Sequence, residues 1–352
     1  VNALAPARWR QPPSRGRWAQ LAGWVMRRPG RVALLSGGLL VLLALPALGV
    51  SFTGIDAKTL PPEASGYRAA VALEQRGLRA SSSPLNVVLS GEPAPELAAR
   101  LGALPGAAGA GPAVEVAPGL WRIDVLPREV SLHPDTQSLV RAVRVAVPAA
   151  LVAGGAAAFA DQQASLQAHV PWAILILCLT TFAILFVLTG SVVLPAKALL
   201  MNFLTIGAAF GILVLVFEEG VGEPGLESTQ PILLCATAFG LSTDYAVFLL
   251  SRIMEARGRG LADREAVAEG LERTGRIVTA AALLFCIAIG AFATSELVFV
   301  QELGVGTAAA VALDATVVRA FLVPSLMALL GRWNWWAPRP LARLHARIGL
   351  QH

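Results

Sequence analysis

The chain has 352 residues, of which 55% are hydrophobic and only 14% charged, with a formal net charge of +5. A water-soluble domain of that composition would lack the polar surface to cover itself, which excludes an ordinary soluble enzyme or binding module. How the apolar residues are grouped then decides the class, because a helix needs about 20 of them in succession to cross a bilayer core.

Residues 1–31 form a basic segment with Arg8, Arg10, Arg15, Arg17, Arg27, Arg28 and Arg31. Within it, 17–28 is expected to be a short interfacial helix, with Trp18, Leu21 and Val25 on one face and arginines at its ends. The first span follows at 32–50; its apolar body is too long for a cleavable leader, and no convincing cleavage site follows it.

Residues 51–168 alternate helix-like and strand-like pieces. Helices are expected at 64–76, 93–104 and 133–147. Strands are expected at 84–90, 113–117, 120–126 and 150–155, with Pro118-Gly119 as a turn. From 84 onward this is the order of a split βαβ, ferredoxin-like α+β domain. It carries no catalytic constellation, so a gate or chute is a better reading than a reaction site.

The remainder, 169–331, reads as a five-helix bundle. The second and third spans share the charge-free run from Gln162 to Ala196, in which Pro171 opens a helix and Gly190, Ser191 and Pro195 break the run before Lys197. The third span fills Ala198 to Phe217. The fourth, Ser228 to Ser251, carries Asp244; the fifth, Ile277 to Ser295, carries no charge; the sixth, Leu303 to Gly331, carries Asp314 and Arg319. The fold class expected is therefore membrane α-helical, with six spans and one α+β domain between the first and second.

Loop charge orients the set. Arginines crowd the segment before the first span, the loop between the fourth and fifth, and the tail at 332–352, whereas 218–228 and 295–302 contain no Lys or Arg. The positive-inside rule places both termini in the cytoplasm and 51–168 outside the inner membrane. The basic excess then reflects anionic lipid, with no nucleic-acid partner. Cys178, Cys235 and Cys286 fall inside spans and the four histidines are scattered, so no disulfide, metal site or cofactor is expected.

Ionisable groups inside spans are the informative residues. Asp244 sits eight residues from Arg252, about 12 Å along the helix at 1.5 Å per residue. Gly240, Ser242 and Thr243 are small and would let another helix approach, and Tyr245 adds a hydroxyl that both donates and accepts. Asp244 is read either as a proton-relay group or as a structural residue bonded to a neighbouring helix. Asp314 stands between a structural ion pair and a second relay site, since on an α-helix a residue five places from Arg319 does not share its face well. Thr279 and Thr316 are better read as bonding to their own helix backbone than as lining a polar path. The two lysines, Lys58 and Lys197, follow no Gly-rich loop, so no ATP-binding loop is present. Gly240-Leu241-Ser242 begins like a nucleophile elbow, but Asp244 occupies the place of its last glycine. The chain is not expected to be an enzyme.

Gly240-Leu241-Ser242-Thr243-Asp244-Tyr245, with Val247 to Arg252 after it, resembles the MMPL transporters of the resistance-nodulation-division superfamily. Arg273-Thr274-Gly275-Arg276, Gly290-Ala291-Phe292-Ala293, Leu313 to Arg319 and Trp333-Asn334-Trp335-Trp336 agree in order. The resemblance is to the second repeat of a twelve-span transporter. It implies that Asp244 and Tyr245 relay protons with a matching pair from the other repeat, and that the cargo is a lipid or another amphiphile. No second Asp-Tyr dipeptide occurs in the chain, so three explanations remain open: the C-terminal part of a longer or split transporter that pairs with another polypeptide, a degraded gene product without activity, or a two-fold homodimer. Two other classes stay beside this reading: a SecD/SecF-like translocation accessory and a non-transporting sensor or scaffold.

Overall fold

A computed structural model of the chain describes residues 16–54, 60–76, 83–129, 133–222 and 225–348. Arg8, Arg10, Arg15, Lys58 and His352 lie outside the described residues. Contacts divide the chain into two units: one holds the residues up to Ser51, 174–295 and those from Val300 on, the other holds 52–173 and 296–299.

The chain enters through α1 (Arg17–Arg27) and α2 (Pro29–Ala44), which tightens into a 3-10 turn over Leu45–Gly49. Pro29 begins α2, where its missing N–H costs nothing. Helix α1 is more than an interfacial helix: Ala22, Val25 and Met26 are buried, and Ala19 N donates to the Glu272 carboxylate at 2.9 Å. Trp18 lies over Gly275, where even a Cβ would come within 2.6 Å of its ring.

The second unit contains α3 (Ser65–Gln75), α4 (Leu97–Gly102) and α5 (Pro134–Ala146). Its sheet runs Ala107–Ala110, Leu120–Pro127, Leu85–Ser90, Leu151–Ala153 in spatial order, with Val114–Ala117 paired to Leu120–Pro127. Every pairing is antiparallel, and Val87 stands opposite both Ile123 and Val152. Leu85, Val87, Ile123 and Val125, at the strand period of two, are fully buried. They meet Leu139, Val140 and Val143 of α5, which recur at helical spacing. Helix α4 is shorter than the expected 93–104. The Ala107–Ala110 strand was not legible, because Ala and Gly carry little strand propensity.

Helix α6 (Gly155–Thr189) is continuous over 35 residues with Pro171 inside it, so Pro171 does not open a span. Then come α7 (Val193–Leu213), running on as a π-helical stretch to Val221, α8 (Gln230–Gly258), α9 (Asp263–Gly290) and α10 (Val298–Leu313). A second π stretch, Asp314–Leu322, joins α10 to α11 (Val323–Leu330), and α12 (Arg339–Ile348) closes the described chain. Among the described residues, six helices are long and apolar enough to cross a membrane. Leu34, Leu35, Leu42, Leu283, Leu284 and Ile287 are exposed on them, as side chains facing lipid tails would be.

Two boundary expectations are corrected. Lys197 lies inside α7 rather than in the turn before it, because Pro195 falls in the first turn of a helix, where its missing N–H breaks no bond. Glu302 is not a loop residue: α10 begins at Val298, and Glu302 is buried, accepting from Glu227 N at 3.0 Å.

Helix α7 packs on α2 through Gly207 and Gly211, four residues apart. A Cβ on Gly211 would lie 1.7 Å from the Leu43 carbonyl oxygen, and one on Gly207 would lie 3.3 Å from the Ala44 Cβ. Such small-residue spacing lets two helix backbones approach without side chains between them. Gly211→Val is expected to destabilise the chain by at least about 1–3 kcal/mol, the usual cost of overpacking. A lowered midpoint of thermal unfolding in detergent would show it; an unchanged midpoint would show that the α2–α7 approach is looser than described.

Candidate functional site

The polar cluster of the bundle is built on the π stretch. In an α-helix, residues five apart point about 140° away from each other at 3.6 residues per turn. In a π turn the i and i+5 residues are hydrogen-bonded one above the other. The stretch from Asp314 to Leu322 therefore puts Asp314 and Arg319 on one face, and Arg319 Nε donates to Asp314 Oδ2 at 2.9 Å with Nη2 donating to the same oxygen. Both residues are buried, 7% and 6% exposed, so the pair is shielded from solvent. This corrects the expectation that the two do not share a face, which assumed α-helical geometry.

Helix α8 supplies the other side. Arg319 Nη2 donates to the Ser242 carbonyl at 3.1 Å, and the guanidinium lies 4.6 Å from the centroid of the Tyr245 ring, a cation–π contact. Arg319 Nη1 is buried with no hydrogen-bond partner among the described residues. The Ser242 hydroxyl lies 2.7 Å from Asn202 Oδ1, on α7, and 3.1 Å from Asp314 Oδ1. One hydroxyl has one proton, so it cannot donate to both at once. A half turn of the Asn202 amide would make its nitrogen the donor to Ser242 and free the Ser242 proton for Asp314. The chain Asn202–Ser242–Asp314 thus has two proton arrangements.

This cluster separates two small cavities. On the side of the arginine-rich helix ends, a cavity of about 40 Å³ is lined by Asp314, Arg319, Ser242 and Asn202 at one end and by Lys197 and Leu194 at the other. On the opposite side, a space of about 10 Å³ extends from Asn202, Ser242 and Asp314 towards Ile206, Ala238 and Ala310. A water needs roughly 10–15 Å³ in such measures, so these spaces suit a few waters and exclude an amphiphile.

Asp244 stands apart. It lies at the midpoint of α8, exposed, and its carboxylate has no partner among the described residues. Leu233, Ala236, Thr237 and Gly240 share its bare face at helical spacing, and a Cβ on Gly240 would meet nothing within 4 Å. The Thr243 hydroxyl is buried without a hydrogen-bond partner among the described residues. Of the residues singled out from sequence, Ser242, Tyr245 and Asp314 come together around Arg319, while Asp244 and Gly240 face outward. Thr316 bonds back to the Ala312 carbonyl at 2.5 Å, as expected of a threonine in a span. Asn202, Lys197 and Asn334 were missed. Asn202 could have been found as the lone amide in the apolar run Ala198–Phe217, by the same logic that found Asp244.

A family model described as the MMPL family matches residues 131–347. The chain is 40% identical over 361 residues to a putative membrane protein, SCO6666, of Streptomyces coelicolor, covering 99% of this chain and 50% of that protein. It is 37% identical over 379 residues to the trehalose monomycolate exporter MmpL3 of Mycobacterium tuberculosis, covering 99% of this chain and 40% of the relative. It is 36% identical over 352 residues to the heme uptake protein MmpL11 of the same species, with 93% and 36% covered. The chain belongs to the MMPL family, and it spans half or less of the length of the curated relatives it matches.

Removing one member of a buried ion pair leaves the other charge uncompensated, at about 3–5 kcal/mol, whereas replacing both is far cheaper. Arg319→Met alone and Asp314→Leu alone are each expected to lower thermal stability sharply, and the double substitution to recover much of the loss. A double-mutant cycle on the unfolding midpoints measures this, and additive losses would show that the two residues are not coupled.

Proposed function

We propose that this chain is one half of a proton-driven secondary transporter that exports lipids or other amphiphiles from the cytoplasmic membrane. The observation that carries the reading is Asp244, a carboxylate at the midpoint of a membrane-length helix, exposed on a face of small residues and without a partner among the described residues. A carboxylate facing lipid at helix centre costs about 2.5–3.5 kcal/mol on insertion scales, so such a group belongs against a second polar surface or a water-filled path. The bare face around Gly240 is where a second helix would seat. Relatives at least about twice as long have room for that second surface in one polypeptide. Here it comes from a second transporter half or a second copy of this chain.

On this reading Asp244 and Tyr245 take protons at the interface between halves, and Asp314 responds through Arg319, which touches both Asp314 and Tyr245. The driving force is the proton gradient and membrane potential, about 2.3 kcal/mol per charge per 100 mV. The arginine-rich helix ends are cytoplasmic. The 51–168 domain, whose strand order matches a split βαβ unit, is extracytoplasmic and acts as a porter-like chute. A lipid cargo follows the relative named as a trehalose monomycolate exporter. The relative named for heme uptake supports an amphiphilic cargo with the opposite direction.

Two substitutions test the reading. Asp244→Asn is expected to abolish proton-coupled transport in proteoliposomes while leaving the assembly intact. Gly240→Leu is expected to leave this chain folded, since no described residue lies within 4 Å of a Cβ there, and to break its association with the second half, read by native mass analysis after gentle extraction. Full transport by a lone monomer, or by the Asp244→Asn assembly, would sink the proposal.

A further inference from the structure

Besides the polar backbone-bonded cluster, the larger cavity is lined by three ionisable side chains: Asp314, Arg319 and Lys197. Their chemistry differs. A guanidinium holds its proton throughout the physiological range, so Arg319 can orient water but not carry a proton. Asp314 is already committed to Arg319 at the far end of the cavity. Lys197 enters from α7, one to two turns nearer the arginine-rich helix ends than Asn202, and its ammonium donates to Asn334 Oδ1 at 3.2 Å. Asn334 is itself fixed, with its Nδ2 donating to the Met327 and Gly331 carbonyls at 2.9 and 2.8 Å. The neighbouring backbone is pinned by Ser191, whose hydroxyl lies 2.6 Å from the Asn334 carbonyl oxygen. No carboxylate lies within ion-pair distance of Lys197 among the described residues. From α8, the cavity wall is Ser242, Ala246, Leu249 and Leu250, with no titratable group.

We infer that this cavity is the inner half of the proton path and that Lys197 is the group that passes protons between it and the arginine-rich end. The inference rests on the proton-driven reading above. The step involves only N–H and O–H bonds. The neutral Lys197 amine takes the proton of a hydronium that reaches the cavity, leaving water there and becoming an ammonium, and the ammonium then gives that proton to a water at the helix ends, which leaves as hydronium. The amine is restored and no other reactant is consumed. Asn334 is a positioning residue: its Oδ1 accepts from the ammonium and holds Nζ at the cavity mouth. A fixed charge would serve to anchor the helix end but could not perform this step, and that difference is testable.

The native assembly is reconstituted in proteoliposomes, and proton entry under an imposed potassium–valinomycin potential is read with a trapped pH-sensitive dye. Lys197→Arg keeps the charge and the donor to Asn334 but removes the titratable group, and is expected to slow proton entry by about a hundredfold, the lower range for a lost proton-transfer group. Lys197→His keeps a titratable nitrogen of lower intrinsic affinity, and is expected to retain proton entry with its optimum moved to lower pH. Rates are normalised to folded, assembled protein. Proton entry at the parental rate in Lys197→Arg, or its loss in both variants alike, would overturn the assignment in favour of a fixed charge or a packing role. Asp244→Asn is run beside them. If it conducts like the parent, the proton-driven reading itself fails; if it is silent while Lys197→Arg conducts normally, only the assignment of Lys197 falls.

Discussion

The bundle is organised by a buried ion pair that ordinary helix geometry forbids. Asp314 and Arg319 meet only because the chain widens into a π turn between Asp314 and Leu322, and both residues are then buried. Burying two charges in a low-dielectric interior costs several kcal/mol per ion, recovered only when the remaining donors and acceptors are also satisfied. Here Ser242 serves both members, with its hydroxyl near Asp314 and its carbonyl accepting from Arg319, while Arg319 Nη1 has no hydrogen-bond partner among the described residues. The pair therefore fixes α8 against the sixth span, and Asn202 brings α7 to the same point. Three helices are registered by one charged contact, which is what an apolar bundle in lipid otherwise lacks, since leucine gains nothing by leaving hydrocarbon.

Asp244 and Asp314, the two aspartates inside spans, are in opposite situations. Asp314 is inward, ion-paired and backed by a hydroxyl that has two possible proton arrangements. Asp244 is outward, at the centre of its helix, beside glycine and small polar residues. Tyr245 connects them, because its ring lies under the Arg319 guanidinium while its backbone neighbour is Asp244. A change of charge at Asp314 alters the field on Arg319, and Arg319 rests on the residue next to Asp244. Such a contact supplies a physical link between the buried cluster and the open face without requiring the two carboxylates to touch.

Much of this was legible in sequence. The long apolar runs point to six spans, and the strand-like pieces at 84–90 and 120–126 hold Leu85, Val87, Ile123 and Val125, the buried residues of the sheet. Asp244, Tyr245 and Asp314 stood out because carboxylates and phenols are scarce in such runs. What was not legible depends on departures from regular geometry. The Asp314–Arg319 pair is hidden in the sequence because a π turn leaves no periodic signature in a nine-residue window. Lys197 reads as a turn residue because Pro195 reads as a breaker, although proline is tolerated in a first turn. The Ala107–Ala110 strand has no strand-forming side chains and is held by pairing with Leu120–Pro127, a tertiary effect.

On the proposed reading, the open face of α8 and the closed cluster behind it together define what a surface covering that face has to supply. A surface covering Asp244 has to fit closely against Gly240 and Ala236, so it must itself present small residues or backbone. It also has to offer a donor or a water path to the carboxylate, or the group would be buried at a cost that packing cannot recover. An apolar helix meets the first condition and fails the second. A helix that carries small residues and a hydrogen-bond donor of its own meets both.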